Sequence, residues 1–313
     1  MNPGPARREP STQGGPADAS LAEMSGMREA FDMALESFLV EELGRVESGV
    51  AAAVRYAVLS PGKRVRPLLL MAAYRASGGE DPAIADLALS VELVHAYSLV
   101  HDDLPCMDDD VLRRGRSTVH VRFGVPLAVL AGAALMPLAV RAILRAGSHL
   151  GLDSGTVDLL VRTLAVSSGA SGMVGGQLLD LRAEGRPVTK EELERIHSGK
   201  TGRLIAAATL MGGIAAGASG ARLEALHRFG LELGLAFQAV DDILDLRGTP
   251  SELGKESGRD RVLGKATYPA LFGVEEAERI SRTFAEAAIV ELDLLDWPDG
   301  LRAIASYVIE RTH

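Results

Sequence analysis

The spacing of the apolar residues restricts this chain to helices. Along Asp86–His101, Leu87, Leu89, Val91, Val94, Leu99 and Val100 recur at helical intervals, and Glu191–Ala208 and Ala221–Leu246 repeat the pattern. No run alternates polar and apolar residues over a useful length, so the pattern that marks a half-buried strand is missing. Strands favour β-branched and aromatic residues, and aromatics make up only 4% of the chain. The clusters "SPG" at 60–62, "SGGEDP" at 77–82 and "AEGRP" at 183–187 mark turns or helix boundaries. With 313 residues, 47% of them hydrophobic, the chain has enough apolar surface for a large core. The expectation is a single all-α domain over residues 25–313, preceded by a disordered tail at 1–24 that has no apolar signal-peptide core.

Charge and cysteine content narrow the function. A net charge of −9 argues against a general nucleic-acid binder. Any anionic ligand must then be held by a local basic cluster or through metal ions. Cys106 is the single cysteine, which rules out an intramolecular disulfide and fits a cytoplasmic protein. The most apolar stretch, Phe123–Val140, contains two prolines and two glycines and falls short of the ~20 residues that span a bilayer. It predicts a buried helix pair with its connection and no stable membrane insertion.

Two carboxylate clusters stand out. In "VHDDLPCMDDDVLRRGR", Asp102, Asp103, Asp108, Asp109 and Asp110 fall within nine residues. Pro105 disfavours helix for the residue before it, so Asp102 and Asp103 belong near a helix C-terminus, where the helix dipole opposes negative charge. In "FQAVDDILDL", Gln238, Asp241, Asp242 and Asp245 sit at i, i+3, i+4 and i+7, on one helix face with no basic residue at i±3 or i±4. Leu233, Phe237, Val240 and Leu244 fall on the opposite face. Carboxylates packed this densely in an unfavourable field call for a hard cation with oxygen ligands. Mg²⁺ is the usual partner of phosphate chemistry, and Ca²⁺ is the competing choice, although neither segment matches an EF-hand loop.

Basic clusters complete the pattern. They are Lys63, Arg64 and Arg66 in "SPGKRVRP", Arg113, Arg114 and Arg116 in "LRRGR", His197, Lys200 and Arg203 in "HSGKTGRL", and Lys255, Arg259, Arg261 and Lys265 in "LGKESGRDRVLGKATYP". "SGKT" resembles the end of a P-loop, but Glu194 stands where the first glycine is required, so a nucleotide site is not supported. Arg and Lys bind phosphate directly, whereas carboxylates do so only through a bridging cation. Two kinds of site therefore predict two phosphate-bearing substrates.

The motifs "GKRVRP", "HAYSLVHDDLPCMDDDVLRRG", "GGQLLDL", "HSGKTGRL", "FQAVDDILDL" and "GKATYPAL" together resemble the trans-isoprenyl diphosphate synthases, or polyprenyl synthetase family. The Asp-Asp-x4-Asp spacing is typical of the bacterial short-chain branch, which makes farnesyl and geranylgeranyl diphosphate. The resemblance implies an isoprenoid-synthase-type helical bundle around a deep central cavity, usually a homodimer. It implies that Asp102, Asp103 and Asp108 hold Mg²⁺ on an allylic diphosphate, with Asp241, Asp242 and Asp245 completing a three-metal site. Arg113, Lys200, Thr201, Gln238 and Lys255 match allylic-diphosphate contacts, and Lys63, Arg66, His95 and Arg114 match those for isopentenyl diphosphate. Lys200, Thr201 and Gln238 would also stabilise or shield the allylic cation. Tyr97 lies ~7.5 Å down the helix from Asp102, and Ser98 is on the same face as Asp102. These two match the positions that form the chain-length floor, where an aromatic at the first goes with a fifteen-carbon product and smaller residues with twenty.

The chain departs from the family pattern at Val111 and Ala133, where the family commonly has aspartates, at Pro137 in an expected helix, and in "GRSTVH". A geranylgeranyl diphosphate synthase is the alternative product assignment. A terpene cyclase would carry a different second metal motif. A non-catalytic partner subunit would tend to lose one acidic motif, and both are present here.

Overall fold

The computed structural model describes residues 16–247 and 259–310. In chain order the helices are α1 (Pro16–Leu43), α2 (Ser48–Val58), α3 (Val65–Ala76), α4 (Ile84–Asp102), α5 (Val119–Phe123), α6 (Val125–His149), α7 (Ser154–Ser168), α8 (Met173–Ala183) and α9 (Lys190–His197). A π-helical turn, Ser198–Gly202, joins α9 to α10 (Arg203–Ala215). The remaining helices are α11 (Gly220–Arg247), α12 (Arg259–Val262), α13 (Tyr268–Phe272), α14 (Val274–Glu291) and α15 (Asp299–Glu310). Residues 1–15 and Lys255 lie outside the described residues. Helix α1 already begins at Pro16, so 16–24, expected to be tail, is helical.

Helices α3, α4 and α10 are apolar on nearly every side and form the centre, with α1, α2, α6, α7, α11 and α15 packed around them. An all-round apolar helix must be enclosed, and Leu87, Leu89, Val91, Leu93 and Val94 of α4 are fully buried. Ends of several surrounding helices are stabilised locally. Glu47 and Asp153 accept hydrogen bonds from the first backbone N–H groups of α2 and α7, and Thr189 and Glu192 form a capping box on α9.

Two expectations need correction. The stretch Phe123–Val140 was expected to be a helix pair with its connection, but apart from Phe123, the end of α5, and the cap Gly124, one helix, α6, occupies all of it from Val125 onward, straight through Pro137. Pro137 removes a backbone donor from that helix, yet it and Ala133, whose carbonyl loses its partner, are both exposed, so water can satisfy the group. Helix α6 and the stretch Ser154–Ala183 are each long and apolar enough to cross a membrane, and the inner side of α6 packs on α4. The second correction is a small antiparallel hairpin, Leu112–Arg113 paired with Arg116–Ser117. Arg114 and Gly115 both adopt positive φ, which a two-residue hairpin turn of this hand requires, and four residues were too short to leave a periodic signal.

Close backbone approaches seat the π-helical turn. A Cβ on Gly176 of α8 would lie 2.1 Å from the backbone N of Lys200, and one on Gly234 of α11 would lie 2.5 Å from Cα of Gly202. Only glycine fits at these two contacts, and each neighbour is backbone that cannot swing aside. Gly176→Ala is expected to destabilise the fold by about 1–3 kcal/mol, the usual cost of overpacking, with little change in the urea m-value. Equilibrium urea unfolding checks this, and an unchanged midpoint would refute it.

Candidate active site

A cavity of about 1450 Å³ opens between the start of α3, the C-terminal end of α4, the hairpin, α8, the π-helical turn and the last turns of α11. Its lining includes Asp102, Asp108, Asp241, Asp242 and Asp245 together with Lys63, Arg66, His95, Arg113, Arg114, Lys200, Thr201 and Gln238. Segments distant in sequence thus bring the expected substrate-binding residues that are described to one cavity.

Helix α4 ends at Asp102, three residues before Pro105, as the sequence predicts. The chain then folds back: Asp108 N donates to the Asp102 carbonyl at 2.9 Å, and Asp109 adopts a φ of 50°. This turn sets Asp108 beside Asp102 at the cavity wall. Burial pushes the Asp102 carboxyl up to about 6, the neighbouring Asp108 carboxylate adding to the effect against the pull of Lys200. Asp103 points elsewhere. It accepts two hydrogen bonds from Arg113, at 2.8 and 2.5 Å, and faces a small neighbouring cavity. Arg113 also donates to Asp110 at 2.9 Å.

The basic wall is built around a buried ion pair. Arg64, just before α3, has a φ of 52° and donates to Glu92 Oε1 at 2.5 Å, to Val58 O at 3.0 Å and to Ser60 O at 3.2 Å. That anchor leaves Lys63 and Arg66, on either side of Arg64, along the cavity. Arg114 donates to Pro61 O at 2.9 Å and approaches His95 Nε2 at 3.5 Å. Burial lowers Arg66 to about 10, although Glu92 and Asp241 work in the opposite direction. Burial, reinforced by Arg66 and Arg114, holds His95 well below the usual imidazole range.

On the opposite side, hydrogen bonds link the "GKT" and "DDILD" motifs. Thr201 Oγ1 donates to Gln238 Oε1 at 2.8 Å, and Gln238 Nε2 donates to Asp242 Oδ1 at 3.0 Å. Asp242 Oδ2 accepts from the backbone N of Tyr268 at 3.0 Å and lies 3.5 Å from His197 Nε2. Asp242 is only 2% exposed, so its carboxylate anchors the start of α13 as well as bordering the cavity. The second motif is not a single wet face, because Phe237 and Leu244, assigned to the opposite side, also line the cavity.

Sequence reasoning gave no role to Asp180 and placed Lys265 only in a basic cluster, without naming its partner. Asp180 Oδ2 lies 2.6 Å from Lys200 Nζ and 3.6 Å from Lys265 Nζ, and Lys265 donates to Asp108 at 2.9 Å. Burial works to raise Asp180, but the two lysines outweigh it and hold its carboxyl below the usual range. Burial alone would lower Lys200, yet Asp180, Asp102 and Asp108 hold its ammonium above the ordinary value. The available signal was a lone acid in an apolar helix: Asp180 in "GGQLLDL", and likewise Glu92 in "SVELVH".

Asp102, Asp108, Asp241 and Asp245 present hard oxygen donors to the cavity, a set suited to a divalent cation. Among the described residues, no three acidic, His or Cys side chains converge into a preassembled metal cage. The donors are spread along a cavity that also carries cations, an arrangement suited to ions shared with an anionic ligand.

An all-α shell around acidic and basic walls of one cavity suits an anionic ligand held both through cations and directly by basic side chains. The sequence pattern described as polyprenyl synthetase matches residues 47–291, and the chain belongs to that family: it is a short-chain prenyltransferase. It is 45% identical over 267 residues to the farnesyl diphosphate synthase of Escherichia coli (strain K12), covering 84% of this chain and 89% of that protein. It is 41% identical over 266 residues to geranylgeranyl pyrophosphate synthase 4 of Arabidopsis thaliana, covering 83% and 70% respectively. The fold is similar to a geranyltransferase from Helicobacter pylori complexed with magnesium and isoprenyl diphosphate. The TM-score is 0.82 and the identity 33%, over 93% of this chain and 98% of that one.

Asp180→Ala is expected to lower kcat/KM for prenyl transfer by about 10–100-fold, the usual cost of losing a residue that orients binding groups. Steady-state kinetics on the folded variant checks this, and activity within twofold of the parent would show that Asp180 is dispensable.

Proposed function

We propose that the chain condenses isopentenyl diphosphate head-to-tail with dimethylallyl or geranyl diphosphate and releases chiefly farnesyl diphosphate. The observation that carries this reading is one cavity with two chemically different anion sites. Carboxylates and lysines form one, and Lys63, Arg66, Arg114 and His95 form the other.

The oxygen donors fit Mg²⁺, the ion named with the Helicobacter pylori relative, in the three-metal arrangement that the family resemblance implies. Asp102, Asp108, Asp241 and Asp245 would hold Mg²⁺, which when bound supplies charge neutralisation for the leaving group. Asp103 and Asp242 act from behind, one fixing Arg113 and the other fixing Gln238 and the Tyr268 backbone.

Lys200, Lys265 and Arg113 carry positive charge to the allylic diphosphate, with Lys255 as the remaining expected contact. As the allylic C–O bond breaks, its electron pair leaves with the diphosphate and these cations stabilise it. The second substrate, held by the basic wall, attacks through its terminal alkene carbon. A new C–C bond forms, and a proton is lost to the departing diphosphate. The Thr201 hydroxyl and Gln238 amide, fixed by hydrogen bonds, present oxygen to the cation. Met173, Val174, Leu178, Leu181 and Phe237 exclude water.

Tyr97 and Ser98 line the cavity below Asp102 and set product length, the tyrosine ring ending the space for the growing chain. The protein acts in the cytoplasm as a homodimer. An outward apolar stripe on α6, with Val129, Leu130, Val140 and Leu144 exposed, supports the second copy.

Purified protein given Mg²⁺, isopentenyl diphosphate and each allylic diphosphate should yield mainly a fifteen-carbon product by radiolabelled chromatography. Mainly twenty-carbon product would instead favour a geranylgeranyl diphosphate synthase, and no extended product would sink the proposal. Tyr97→Ala should shift products towards twenty carbons, and an unchanged spectrum would overturn the floor assignment. The double variant Leu130→Glu with Val140→Glu should be monomeric by light scattering if the stripe is the dimer contact, whereas an unchanged dimer mass would place that contact elsewhere.

A further inference from the structure

The last turn of α4 carries a side chain that the reaction does not use. His101 immediately precedes Asp102 and follows Tyr97 by four residues, one helical turn further along the same side. Its ring lines the cavity and meets the Tyr97 ring edge-on, with centroids 4.7 Å apart and planes at 64°.

Behind His101 stands α6. A Cβ on Gly132 would lie 2.2 Å from His101 Nε2 and 2.4 Å from Cδ2, so the imidazole occupies the space which that glycine leaves. Its Nε2 also lies 3.4 Å from the Val129 carbonyl. Gly132 is buried and does not line the cavity. The ring is thus held between the backbone of α6 and the Tyr97 ring. A tyrosine at a cavity floor blocks a growing chain only while its ring stays across the space. A half-buried aromatic keeps one orientation when neighbours occupy the alternatives. His101 fills the side towards α6.

We propose that His101 is a positioning residue for product length: wedged between Gly132 and Tyr97, it holds the tyrosine ring across the floor of the cavity. The proposal rests on the assignment of Tyr97 as that floor.

The test compares product-length distributions of the full-length enzyme with geranyl diphosphate and isopentenyl diphosphate as substrates. His101→Ala should raise the ratio of twenty- to fifteen-carbon product roughly fivefold, the scale of one aromatic edge contact. His101→Phe keeps a flat ring in the wedge and should restore the parent ratio. Gly132→Ala drives the imidazole forward onto Tyr97 and should lower the twenty-carbon share. The double variant Tyr97→Ala with His101→Ala should match Tyr97→Ala alone, because His101 acts through the tyrosine.

A silent Tyr97→Ala would overturn the floor assignment itself. Lengthening in Tyr97→Ala with none in His101→Ala would overturn only the positioning role. Further lengthening in the double variant would also overturn it, because His101 would then be wall in its own right. If His101→Ala yields no product, Gly132→Ala decides from outside the cavity, and a parental distribution there overturns the proposal.

Discussion

The charge balance inside the cavity is the constraint on which the site depends. Several aspartates stand close together in a partly desolvated space, where like charges repel strongly and each ionised group loses hydration. The protein answers with cations reaching in from other segments. Arg113 takes Asp103 and Asp110, while Lys200 and Lys265 share Asp180, and Lys265 also meets Asp108. Glu92 performs the converse service for Arg64 and lies among the arginines of the basic wall. Cutting one partner of a pair as buried as Arg64 and Glu92 would leave an uncompensated charge, at a cost of about 3–5 kcal/mol.

Backbone geometry supplies the precision that this balance needs. The π-helical turn lies against Gly176 on α8 and Gly202 against Gly234 on α11, so Lys200 and Thr201 are set by main-chain contacts. Irregular helical turns recur at functional sites because they present a side chain at an angle that a regular helix cannot offer. The positive φ values at Arg64, Asp109 and Arg114 lie at three bends around the same cavity. Each costs conformational energy in a non-glycine residue, and the anchoring contacts of Arg64 and Arg114 offset it locally.

Much of the fold was legible from periodicity. The end of α4 at Asp102 followed from Pro105, and α11 followed from its apolar spacing. The helix-pair expectation for α6 failed because Pro137 was weighed without its surroundings, and exposure of the proline-facing carbonyl makes the interruption tolerable. Within the site, the dense acidic and basic motifs were visible in the sequence. Asp180 and Glu92 were harder to assign, since a single charge in an apolar helix does not name its partner.

Residue types and their spacing by themselves determined an all-α chain with two acidic clusters, several basic ones and an aromatic five residues before Asp102. Those features depend on local stereochemistry and on the chemistry that phosphate groups demand, and both can be read along the chain. Only the tertiary structure decided that Asp103 and Asp242 serve as anchors while Asp102 and Asp108 stand together at the cavity wall. It alone showed that one carboxylate on α8 is shared by two lysines far apart in sequence, and that a glycine on α6 leaves room for His101 behind Tyr97. These assignments depend on which helices approach each other and how closely, which is set by packing across the whole core.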